Sequence, residues 1–277
     1  MSNKLKNFQK TQVRHWFDFP SEYTDTTINF YGTDSEELFD KNNSLDWNVN
    51  GGEQPTSHIT QTNKYTKDSI KYTFNHEGMR GPELANFTSI KRCPANRILH
   101  IGASVTFGFG VNLEETYPHL LNKELNGCYW NVSPVNTVFQ IMDTVEDLIE
   151  QVKPTTLIVS PPRYVQDFDY LNKVFRNTIQ DKELSHMFLE TKMTSKKSIQ
   201  DAFLRYLNLI AKVYSVKIIL INHGYKYWRD YKFNKKNNLI EYVTLDEKET
   251  YIDLSRDCRH PGVNSHKQIV KHLLKLL

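Results

Sequence analysis

Three residues in two short stretches are of the types that acyl chemistry needs. The first stretch is Gly102-Ala103-Ser104-Val105-Thr106, in which a lone serine follows an apolar run and two small residues. A serine hydroxyl is a weak nucleophile until a base takes its proton. The second stretch is Asp257-Cys258-Arg259-His260-Pro261. A short loop of that spacing can bring a carboxylate against an imidazole. His260 would then be the base, and Asp257 would hold its ring in the working tautomer. Alone, each stretch says little: Ser104 also reads as a turn or helix-cap residue, and Asp257 as a turn cap. Together they favour a Ser104, His260, Asp257 triad, provided that the fold ends the strands before them on the same side.

After Pro94 the pattern alternates strand and helix in the way such a triad requires. Short apolar runs at Arg97 to Gly102, Thr155 to Ser160 and Val216 to Asn222 read as buried strands, with a further extended piece in "YWNVSPVNTVF" and a last strand at Thr250 to Ser255. Helical spacing marks Leu113 to Leu125, with an ordered start near Pro118. It also marks Asp143 to Val152 with Asp143 as N-cap, Ser198 to Tyr214, and Asn264 to Leu277. Continuous apolar strands separated by helices imply a parallel sheet covered on both faces, with functional groups outside the carboxyl ends of the strands. That rule points to Gly102–Ser104, Ser160–Arg163, Asn222–Gly224 and Ser255–His260. Before Pro94 the chain is polar and aromatic. It shows one clear strand, Ser69 to Phe74, and a loop from Asn42 to Ser57. The expected organisation is a β-rich N-terminal appendage over 1–92 and an α/β domain over 93–277.

Composition narrows the partners. The chain has 277 residues, 35 basic and 32 acidic, for a formal charge of +3, which is no footprint of a nucleic-acid or membrane-surface binder. No window approaches a membrane span and no secretory h-region opens the chain, so a cytoplasmic protein is expected, unless it travels as part of a virion. The three cysteines, Cys93, Cys128 and Cys258, are too few and scattered for a disulfide framework and lack metal-ligand spacing, which reads as a reducing compartment. No metal or organic cofactor is expected, since a triad needs none. A nucleotide-binding loop is disfavoured: "GASVTFGFG" fits neither glycine-rich phosphate motif and has no P-loop lysine.

The two stretches, in this order, resemble the SGNH (GDSL-like) hydrolases. The G-D-S-x-[ST] block of that family corresponds to Gly102–Thr106, and its D-x-x-H block to Asp257–His260, followed here by Pro261. The likeness covers roughly residues 96 to 277, and His266 also matches a common feature of the last block's surroundings. It implies a flavodoxin-like three-layer α/β/α sandwich. It also implies Ser104 as nucleophile, His260 as base and Asp257 as its orienter, acting on an ester of an acylated carbohydrate or small molecule. "NHEGMRGPE", Asn75 to Glu83, is similar to a segment found in members with an N-terminal β appendage, some of them encoded by tailed bacteriophages.

Two departures bear on the oxyanion hole. The family's second block supplies a glycine N–H, but Asn136 to Thr144 contains no glycine; its G-x-N-D block supplies an asparagine, but the chain has Ser160-Pro161-Pro162-Arg163. Losing one such donor costs about 10²- to 10³-fold in rate. The expected donors are the Ser104 amide and a side chain from Asn136, Gln140, Ser160 or Arg163, with His223 near the same cleft. Arg163 reads also as an anion clamp or structural ion pair, His223 as a structural residue, and Arg80 as a tie between the two parts of the chain. The alternatives to an esterase or deacetylase are a catalytically weak binding or structural module and an O-acyltransferase.

Overall fold

Five apolar runs pair side by side in one parallel sheet. The computed structural model describes residues 24–44, 65–83, 96–135, 137–162, 196–223, 239–257 and 260–277. In chain order the elements are β1 (Thr27–Ile28), α1 (Glu36–Ser44), β2 (Tyr72–Thr73), β3 (Arg97–Gly102), α2 (Ser104–Phe107), a 3₁₀ turn (Leu113–Glu115), α3 (Tyr117–Leu125), β4 (Cys128–Val132), α4 (Val138–Val152), β5 (Thr156–Ser160), α5 (Lys196–Tyr214), β6 (Lys217–Asn222), β7 (Ile240–Thr244), α6 (Glu247–Thr250) and α7 (Val263–Leu273). The sheet runs β4-β3-β5-β6-β7, all neighbours parallel. Taking its strands in chain order, this is the 2-1-3-4-5 arrangement of flavodoxin-like folds.

The sheet is apolar on both faces because both are covered. Leu99, Ile101, Leu157, Val159, Ile218 and Leu220 pack with α4 and α5. Ile98, Ile158, Ile219 and Ile221 pack with α3 and α7. Helix α3 has Pro118 in its first turn, where a missing N–H costs nothing, and ends at Asn126 in the left-handed region. Helix α4 starts a turn and a half before the expected Asp143, because Val138 and Ile141 extend its buried face and Thr137 caps it, accepting from Gln140 N. Asp143 therefore lies inside the helix.

The last strand also differs from expectation. It is β7; residue 250 closes α6, and residues 251–255 leave it as irregular chain bridged at Leu254 to Pro261. The local hydrogen bonds explain why. The Asp253 carboxylate accepts from the N–H groups of Asn264 (3.0 Å) and Ser265 (2.9 Å), capping α7 from outside, and Ser255 N donates to His260 O. These groups serve a compact loop and have none left for a sheet neighbour.

The N-terminal segment forms a two-residue antiparallel pair, β1 with β2. The expected strand from Ser69 to Phe74 is thus shorter, yet its alternation holds: Ile70, Tyr72 and Phe74 are buried with Phe107 and Phe109. Residues 42–44, expected in a loop, close α1 instead; residues 45–57 of that loop lie outside the described residues. The buried Arg80 guanidinium donates to the carbonyls of Phe107, Gly108, Val111 and Lys71, the tie expected of it. Arg256 is held harder still. Its side chain and that of Asp34 are both fully buried, joined through Nη2–Oδ2 at 2.6 Å and Nε–Oδ1 at 3.1 Å. Further bonds run to the carbonyls of Lys67 and Asn29.

Cys128, the first residue of β4, is disulfide-bonded. Its partner lies outside the described residues, as do Cys93 and Cys258. A reducing compartment therefore no longer follows from the scatter of the cysteines; linear spacing does not reveal which thiols the fold brings together. Among the described residues no helix is long and apolar enough to cross a membrane.

Removing one partner of a buried ion pair strands the other charge. Asp34→Ala should therefore lower unfolding free energy by about 3–5 kcal/mol. Asp253→Ala, which removes only a helix cap, should cost about 1–2 kcal/mol. Urea denaturation of the two variants beside wild type measures both.

Candidate active site

In a 2-1-3-4-5 sheet the chain leaves the first and third strands toward opposite sides, opening a crevice at their carboxyl ends. Here those strands are β3 and β5. Gly102 and Ser160 are register partners at this point, and Ser104 begins α2 just beyond it. Ala103 N donates to Ser160 O (3.2 Å), and Val135 N donates to Gly102 O (2.8 Å). The corner is too tight for a side chain: a Cβ on Gly102 would lie 2.7 Å from Ser160 Cβ and would also meet Thr106 Oγ1. After the single turn of α2, Gly108 takes a left-handed conformation that reverses the chain. Among the described residues, neither the Ser104 hydroxyl nor its amide has a hydrogen-bond partner. Both are therefore free for a ligand.

The second stretch folds as its spacing suggests. His260 Nδ1 lies 2.6 Å from Asp257 Oδ2. An ionised carboxylate only accepts, so Nδ1 carries the proton and Nε2 is left as the basic nitrogen. Asp257 is fully buried and His260 is 15% exposed. The carboxylate also accepts bonds from Ser255 Oγ (2.7 Å), His260 N (3.1 Å) and Thr33 Oγ1 (3.0 Å). The turn that follows Ser104 packs directly on this loop. Arg256 N donates to Gly110 O (3.0 Å), and the Phe109 ring lies 5.3 Å from that of His260.

Behind the corner lies a group of buried imidazoles around Tyr117. The rings of His100, His223 and His266 lie 5.6, 6.3 and 6.1 Å from the Tyr117 ring. Tyr117 OH is bonded to Thr106 Oγ1 of α2 (3.0 Å), and Tyr117 N donates to His266 Nδ1 (3.2 Å). His223 Nε2 is bonded to Ser160 Oγ (2.8 Å). Both nitrogens of His100 and Nδ1 of His223 are buried without a partner among the described residues. Burial lowers all three imidazoles from 6.5 to about 3, so they are neutral at ordinary pH; for His266 the nearby His223, Arg80 and His260 add to the effect.

The remaining site residues proposed from sequence separate into three groups. Gln140 lies in the first turn of α4, whose approach is tied to the Ser104 corner through Val135. Ser160 and His223 are buried against each other, so neither presents a free group to the crevice. Asn136 and Arg163 lie outside the described residues. Two neighbours of Asp257 were not anticipated. Ser255 stands two residues before it, a spacing that a carboxylate-centred loop commonly uses, but Thr33 is 224 residues away and carries no local signal.

Fold and site define a class: a doubly wound parallel-sheet protein with a serine at the switch point and an aspartate–histidine pair on a neighbouring loop. No family model matches the sequence, and no curated protein matches it. Among solved structures it is similar to the psychrotrophic esterase EstA from Pseudoalteromonas sp., at 16% identity over 65% of this chain and 96% of that one, with a TM-score of 0.44. It is similar to TesA, at 16% over 65% and 97%, with a TM-score of 0.45. A GDSL-like lipase from Bacteroides thetaiotaomicron VPI-5482 shows 15% identity over 70% and 98%, with a TM-score of 0.39.

The three imidazoles make stability depend on acid. An imidazole lowered in the folded state binds its proton more readily when unfolded. Its contribution is therefore complete above pH 6.5 and is lost as pH falls toward about 3. Together the three should give a slope of about 4 kcal/mol per pH unit near the middle of that window. Urea midpoints measured from neutral pH downward should fall steeply, and His100→Phe should flatten the curve by about one proton.

Proposed function

We propose that the protein is an SGNH-like serine hydrolase, an esterase or deacetylase that cleaves an ester of an acylated carbohydrate or small molecule. The observation that carries this reading is the Asp257–His260 pair at 2.6 Å, on a loop bonded to the turn that follows Ser104. In this reading Ser104 Oγ attacks the acyl carbon while its proton passes to His260 Nε2. Asp257 holds the ring and stabilises the imidazolium that forms. The tetrahedral oxyanion takes the Ser104 N–H and a second donor, for which Gln140 in the first turn of α4 is the candidate. The intermediate collapses by breaking the C–O bond, and the alcohol leaves with the proton held by His260. Water, activated by the same base, then attacks the acyl-enzyme and frees Ser104. No cofactor enters any step. If a second alcohol reaches the acyl-enzyme before water, the same chemistry is O-acyl transfer.

One observation favours a second reading. Ser104 has no hydrogen bond to His260, which suits a catalytically weak domain kept as a binding or structural module. Catalytic bonds that tighten only with substrate are equally consistent with it.

Fluorophosphonate labelling and a panel of acetyl and butyryl esters separate the two. Wild type should be labelled at Ser104 and turn over a short-chain ester. Ser104→Ala and His260→Ala should each lower kcat by roughly 10³-fold or more, with Asp257→Asn less severe. Wild type that is neither labelled nor active on any ester would establish the binding-module reading instead.

A further inference from the structure

We infer that Thr33, from the N-terminal segment, is a positioning residue for His260, acting through the Asp257 carboxylate. The inference rests on the reading of His260 as the base. Thr33 Oγ1 donates to Asp257 Oδ2 (3.0 Å), the same oxygen that receives His260 Nδ1 (2.6 Å). The other oxygen is fixed from within the loop, by Ser255 Oγ and His260 N. Thr33 thus brings this carboxylate a bond from outside the loop, and it restrains the oxygen that sets the plane of the imidazole.

The placement of Thr33 is over-determined. Tyr31 and Asp34 exchange backbone bonds at 2.9 and 3.1 Å, making a tight turn with Gly32 and Thr33 at its tip. Gly32 has a φ of 60°, and a Cβ there would come within 2.6 Å of Phe109 Cε1, so the tip sits against the ring that faces His260. Asp34, next in sequence, is fully buried and held by Arg256 and by the Tyr72 hydroxyl at 2.6 Å. Tyr72 OH also accepts from Gly110 N (2.6 Å), which ties the same turn to the segment after Ser104. Thr33 itself is exposed, so the tip forms part of the rim beside His260. Among the described residues, the titratable and charged groups around His260 include Asp257 on its own loop and His266 on α7, with Arg256 paired to Asp34.

A hydroxyl that only filled space could be replaced by a methyl; one that orients a carboxylate could not. The test compares Thr33→Val, nearly the same shape without the donor, with Thr33→Ser, which keeps it. Exposure of Thr33 lets both variants fold, as thermal melts would verify. The first readout is the low-field His260 Nδ1 proton resonance, which needs no turnover and is assigned by its loss in His260→Ala. It should broaden or shift in Thr33→Val and stay near its wild-type position in Thr33→Ser. The second is ester kinetics: kcat should fall on the order of tenfold in Thr33→Val with KM little changed, and recover in Thr33→Ser. A resonance and kcat unchanged in Thr33→Val would overturn the inference, as would Thr33→Ser as damaged as Thr33→Val. Should wild type turn over no ester while the resonance responds as expected, the positioning role stands and the hydrolase reading fails.

Discussion

An arginine sealed from water must have its charge compensated, and Arg256 is compensated by a carboxylate. Its guanidinium is fully buried, and the carboxylate that neutralises it, Asp34, is equally buried. A buried charge costs several kcal/mol even after relaxation, so each of the two requires the other. Much of the arrangement follows from that requirement. The loop carrying Asp257 and His260 begins at the residue after Arg256, so its anchor is the N-terminal segment. The same segment reaches the Ser104 side through Arg80, whose burial lowers its pKa to about 10 and leaves it charged, bonded to carbonyls of the turn after α2. Two buried cations therefore fix both loops to one N-terminal platform.

The two faces of the sheet divide the remaining work. The face under α4 and α5 is almost wholly aliphatic. The face under α3 and α7 carries Tyr117 and three imidazoles close to the Ser104 corner. Neutral imidazoles supply polarity without charge, and Tyr117, its ionisation suppressed by burial, holds α2 through Thr106. On this face the corner is thus braced by groups that do not carry charge at neutral pH.

The strands and long helices were legible because their periodicity is a local property. β3, β5, β6, α5 and α7 are apolar runs bounded by turn residues, and a parallel sheet follows from their alternation. The pairing of Asp257 with His260 was legible for the same reason, being set by a three-residue spacing. What sequence could not show depends on distant contacts. Residues 250–255 carry a strand-like pattern, yet Asp253 is drawn to the amides of α7 and the segment never joins the sheet. Strand β7 was overlooked because it follows a polar, lysine-rich stretch and has one mixed, edge-strand face. Thr33 and Asp34 were invisible as site residues: a threonine and an aspartate in a polar segment look like any others until the fold sets them against Asp257 and Arg256. The disulfide at Cys128 was missed on the same ground.

The Asp34–Arg256 bond spans 222 residues, and that span has a consequence in time. A chain made from its N-terminus completes the Ser104 corner, with β3, β4 and β5, well before Arg256 exists. Until then Asp34 has no cation to meet it and stays in water, and the turn bearing Thr33 has nothing to close upon. Contacts of such long range are also the slowest to form, since the whole intervening chain must be ordered or looped out. A half-made molecule therefore carries its serine without the Asp257–His260 pair. The Asp257–His260 loop can close on the Ser104 side only once Arg256 and His260 have been made.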